Sequence, residues 1–229
     1  MSSERVRPGD DAWQVFAALH RLLLRLAGRF PDELITRTRT MLARSDLVHL
    51  PDTVTGSAAR LRVSLTAADV ELLRYVLALA DGAAGDPAAT DQLTISTSVP
   101  ATDHRFTPVP PGAPAVARVS ADLADDLLVD AMNEHLGVMT IRRAWRSAPH
   151  EESEDARRVY FVEVEPHVRA WELTGDAQHE LVLIDEESPQ VEVYWTGDEL
   201  PPYHRTALAD AALLWPRSPP AGQAPRSRA

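Results

Sequence analysis

The sequence predicts an α+β fold: an N-terminal helical bundle followed by a mostly antiparallel β-sheet packed with two helices. Three observations lead there. Apolar residues in the first third recur at helical spacing. A Gly-, Ala- and Asp-rich stretch at 81–90 interrupts that pattern. Beyond it, short apolar runs follow one another at turn-like intervals. The expected organisation is a helical region at 1–82, a linker at 83–91, an α+β domain at 92–216 and a disordered, proline-rich tail at 217–229.

Each element has a local reason. From Ala12 to Gly28, Val15, Phe16, Leu22, Leu23 and Leu26 keep the helical period, and Gly28 supplies a stop. Pro31 opens a second helix where a missing N–H costs least, and Asp32 and Glu33 complement its dipole. Leu34, Ile35, Met41 and Leu42 form its apolar face. A third helix follows Thr66, with Asp69 as capping-box partner, and runs towards Gly82 behind a stripe of Val70, Leu73, Val76, Leu77 and Ala80.

After the linker, Leu93 to Val99 reads as a strand and residues 107–114 as a stiff polyproline-like connection. Ser120 is the expected cap of a helix running to about Leu136, with Gly137 just past its end. Strands are expected at Val138 to Arg143, Val159 to Glu165, Val168 to Leu173, Glu180 to Asp185 and Val191 to Trp195. The run Leu181 to Ile184 is apolar on both faces and also fits a helical turn. A last helix, Pro202 to Leu214, would bury Leu208, Ala211, Ala212 and Trp215.

Composition removes several chemistries. The 229 residues contain no cysteine, and all 23 basic residues are arginine. Thiol nucleophiles, disulfides and cysteine metal sites are therefore excluded. So are lysine Schiff bases and a complete Walker A loop. The lack of lysine reads most simply as a coding bias towards arginine. No run approaches the ~20 apolar residues of a membrane span, and the first fifteen residues lack a secretory apolar region, so a cytoplasmic protein is expected.

The formal net charge of -11 is unevenly spread. Residues 1–62 carry ten arginines and seven acids, and residues 63–229 carry thirteen arginines and twenty-seven acids. An acidic body disfavours phosphate backbones, so nucleic acid is not the expected partner.

Catalytic and cofactor signatures (G-x-S-x-G, G-x-G-x-x-G, H-E-x-x-H, calcium loops) are absent, and no cofactor or metal site is expected. Two stretches stand out. Asp122, Asp126, Asp130 and Glu134 recur every four residues, with Asp125 alongside, so a helix there carries an acidic stripe. Water, arginines from elsewhere, a basic partner or a hard cation could each offset the like charges. The second stretch, 195–205, gathers Trp195, Asp198, Tyr203, His204 and Arg205 at a strand-to-helix junction. Such a junction serves either to pack the last helix or to line a pocket. Arg37, Arg39 and Arg44 read as surface residues of the second helix, and the charged stretch after His150 as a hairpin tip.

The expected function is that of a non-catalytic binding or accessory protein. Its acidic surface would recognise a basic protein or peptide partner, as an immunity-type inhibitor or a biosynthetic accessory subunit does. The alternative is a cofactor-independent enzyme using His and Asp/Glu acid–base chemistry, with Trp195, Asp198, Tyr203 and His204 in its pocket.

Overall fold

A computed structural model describes residues 8–79, 87–112, 121–148 and 156–216. The charged stretch after His150, expected as a hairpin tip, and the tail after Pro216 lie outside the described residues. The α+β class is as expected, with seven α-helices, a five-stranded mixed sheet and a two-stranded parallel pair among the described residues.

The N-terminal helices are α1 (Pro8–Leu26), α2 (Asp32–Ala43), α3 (Leu50–Leu61) and α4 (Ala67–Leu79). Weak helix formers (Thr, Val, Gly, Ser) hide α3 in the sequence, yet Leu50, Val54 and Ala58 give it a buried stripe at four-residue spacing. The expected capping box of α4 is present: Asp69 N donates to Thr66 Oγ1 and Thr66 N donates to Asp69 Oδ2, both at 3.2 Å. Short strands β1 (Leu65–Thr66) and β2 (Ile95–Ser96) pair in parallel, joined through α4 and a 3₁₀ turn at Pro87–Gln92. The strand expected from Leu93 to Val99 is thus only two residues long.

The main sheet holds β3 (Arg105–Thr107), β4 (Val138–Ser147), β5 (Arg157–Val164), β6 (Gln190–Trp195) and β7 (Ala212–Trp215). Its order is β3-β4-β5-β6, and β7 lies beside β3 along the same edge of β4. Three pairings are antiparallel, whereas β5 and β6 run parallel. Parallel neighbours need a crossover, and α6 (Ala170–Val182) provides it. This corrects two expected strands, since Val168–Leu173 and Glu180–Asp185 are the two ends of one helix. Trp171, Leu173, Thr174, Ala177, Gln178 and Leu181 form its buried stripe, which only the full length of the segment reveals.

Two further corrections concern helix ends. The cap of α5 (Leu123–Asn133) is Asp122, whose carboxylate accepts from Ala124 N and Asp125 N while the Asp125 carboxylate accepts in turn from Asp122 N. The last helix, α7 (Pro202–Asp210), stops earlier than expected, because Ala211 turns extended and Ala212–Trp215 join β4 as a strand.

The main apolar core lies on one sheet face. Tyr160, Val162, Val164, Val191, Val193 and Trp195 meet residues of α1, α2, α5 and α6 there, and the same cluster continues into α3 and α4. On the other face α7 covers Ala144, Val159, Phe161 and Tyr194, with Leu24 of α1 and Ala27 just past its end alongside. Edge strand β6 is sealed by side chains. His20 Nε2 donates to Val193 O at 2.7 Å, and Thr36 Oγ1 donates to Pro189 O at 3.2 Å. Among the described residues no helix is long and apolar enough to cross a membrane.

Candidate functional site

Strand β6 ends at Trp195, whose indole N–H donates to Val168 O at 2.8 Å and whose ring lies 4.5 Å beneath the Arg21 guanidinium. Arg21 forks onto Asp198 with bonds of 2.7 and 3.1 Å, tying the loop after β6 to α1. An open cleft of about 540 Å³ results. Arg21, Leu24 and Arg25 of α1 form one wall, Thr66, Ser98 and Val99 a second, and Asp198 to Pro202 with Arg205 the third.

The junction therefore divides. Asp198 and Arg205 line the cleft, whereas Trp195, Tyr203 and His204 are buried in the core. Tyr203 stacks edge-on against Phe106 and His104. Its close approach to the chain at Gly28 explains that glycine: φ is +70°, and a Cβ there would lie 2.5 Å from the Tyr203 ring.

Beneath the junction lies a charged network that the sequence does not announce. Glu192 stands mid-strand between two core valines, and its Oε2 accepts from Arg39 Nη2 at 2.5 Å and lies 2.9 Å from His204 Nε2. All three side chains are essentially inaccessible, which corrects the surface assignment of Arg39. Burial pushes the Glu192 carboxyl up, but Arg39 and His204 outweigh it and bring the pKa down to about 2. Burial drives His20, bonded to the same strand, down to about 4; the bond to Val193 O opposes that shift and the charge of Arg39 adds to it.

Nearby, Arg146 of β4 bonds Asp32 Oδ2 at 2.6 Å and the Tyr203 hydroxyl at 3.3 Å. Burial pushes that phenol up to about 12, so Tyr203 stays protonated at neutral pH. These bonds join α2, β4, β6 and α7. A solute in the cleft meets Pro201, Pro202 and Arg205, not the imidazole of His204.

The acidic stripe also divides. Asp125 is buried, with an ion pair to Arg143 and a 2.9 Å bond from the Tyr160 hydroxyl. Burial holds its carboxyl above the ordinary range despite those partners. Asp122 takes both ends of the Arg158 guanidinium at 2.8 and 3.1 Å, and Arg158 also reaches Glu186 at 3.4 Å. The arginines that dock here thus come from β4 and β5. Asp126, Asp130 and Glu134 face outward from α5, which contains no basic residue.

Because Arg158 joins Asp122 to Glu186, the start of α5 lies beside the turn after α6. Leu123 is 73% exposed at the first and Leu183 64% exposed at the second. Leu136, past the far end of α5, is 91% exposed. Among the described residues no group of three or more His, Asp or Glu side chains has the arrangement to hold a metal ion. No protein-family model, curated protein or solved structure matches this chain.

Proposed function

We propose that this protein is a non-catalytic binding or accessory protein that recognises a basic, amphipathic segment of a protein partner through α5 and the turn after α6. The observation that carries the reading is the outward face of α5. Asp130 and Glu134 point outward there without a basic residue on the helix, and exposed leucines stand at both ends. Asp130 and Glu134 also occupy the C-terminal part of the helix, where the dipole favours cations. Each such misplaced charge costs roughly 0.3–1 kcal/mol, which a cationic partner would offset.

Burial of Tyr203 and His204 supports a non-catalytic role, since the strongest acid–base candidates of the junction serve packing and ion pairing. An acidic face rimmed by leucines suits a partner segment with arginine or lysine on one side and apolar residues on the other. The test is a hydrogen-exchange footprint of the protein bound to a purified partner from its native host. Protection concentrated at 121–136 and 180–187 is expected. Protection confined to other surfaces refutes the reading.

A further inference from the structure

The cleft between α1 and the loop after β6 contains its own charge pattern, independent of the acidic face of α5. Arg21 is neutralised by Asp198, and Arg25 by Asp69, itself buried and bonded to Thr66 Oγ1 at 2.7 Å. Two lining residues make no ion pair among the described residues: Arg205 and Glu199. Arg205 donates once, to Leu200 O at 2.6 Å, which leaves most of its guanidinium fork available. The same cleft is lined by the apolar side chains of Leu24, Val99, Leu200, Pro201 and Pro202, beside the polar Thr66 and Ser98.

We propose that this cleft binds a free apolar α-amino acid. The ligand's carboxylate sits at Arg205, its ammonium at Glu199, and its side chain against Leu24, Val99 and the two prolines. A simple organic anion would satisfy Arg205 but face repulsion from Glu199, and a simple amine would meet the reverse. A zwitterion uses both charges. The walls are held in place before the ligand arrives. Arg21 is clamped between Trp195 and Asp198, and prolines stiffen the loop, so little ordering entropy opposes binding.

Isothermal titration of the full chain with leucine tests this directly, beside 4-methylpentanoate, which lacks the ammonium, and 3-methylbutylamine, which lacks the carboxylate. Saturable leucine binding is expected below about 1 mM, with both analogues at least about tenfold weaker, as loss of one charged hydrogen bond predicts. Arg205→Ala and Glu199→Gln should each weaken leucine binding about tenfold. Both side chains are exposed, so circular dichroism should show an unchanged fold. The proposal is overturned if leucine gives no saturable heat at millimolar concentration. It is equally overturned if 4-methylpentanoate or the amine binds as tightly as leucine, or if both variants bind leucine like the parent chain.

Discussion

Arg39 and Glu192 are 153 positions apart in the chain, yet they form an ion pair from which water is excluded. Desolvating two charges is costly, and the pair is tolerable because His204 shares the carboxylate. Removing one partner leaves the other charge buried. Glu192→Ala should therefore lower stability by about 3–5 kcal/mol in urea denaturation. Arg39→Met combined with Glu192→Gln should recover most of that loss, because it buries no charge; no recovery would show that the charge is not what matters.

His20 makes a second prediction at this scale. In the unfolded chain it ionises near 6.5, and in the fold near 4. Between those values the unfolded chain binds a proton that the folded chain does not, so stability falls as pH drops from 6.5 to 4. The full loss is roughly 3 kcal/mol. Glu192 acts in the same direction further down, its contribution fading as pH falls from about 4.5 towards 2. Urea midpoints measured against pH should show a shallower slope in His20→Gln between 6.5 and 4, since glutamine keeps a donor for Val193 O without titrating. Equal slopes would remove His20 from the explanation.

Helices and strands were legible in the sequence to the extent that their signals are local. The capping box at Thr66 and Asp69 and the Pro31 start of α2 both depend on neighbours within a few residues. The crossover helix α6 was not legible, because its apolar ends each resemble a short strand and its identity follows from the parallel pairing of β5 with β6. The end of α7 was hidden for a similar reason, since β4 recruits the alanine- and leucine-rich segment that follows as a strand. Packing between elements supplies another prediction. A Cβ at Gly175 of α6 would lie 2.5 Å from the Ala43 Cβ at the end of α2. Gly175→Val should then cost about 1–3 kcal/mol in thermal unfolding by forcing the helices apart. Ala43→Gly in the same chain should return part of that, and failure to do so would locate the strain elsewhere.

At the scale of the molecule, the N-terminal helices share one core with the sheet, and Arg39, Asp32 and His20 reach from them into β6 and β4. No sequence pattern could pair these residues, since each partner lies more than a hundred positions away. The candidate site was half legible. The four-residue acidic spacing correctly marked a helix, but only the fold assigns Asp122 and Asp125 to arginines of the sheet and leaves Asp130 and Glu134 on the outside. Likewise the junction at 195–205 combines residues that line a cleft with others that fill the core.

The central claim is that the outward face of α5 recognises a basic partner, and charge reversal tests it most directly. The chain and its Asp130→Arg/Glu134→Arg variant are used as parallel baits in native lysate, and every captured protein is then purified and its affinity measured across salt. The account predicts a partner that binds the parent chain, weakens steeply between roughly 50 and 500 mM salt, and binds the variant at least about tenfold less tightly. A partner set that binds both chains equally, with no dependence on salt, would contradict it.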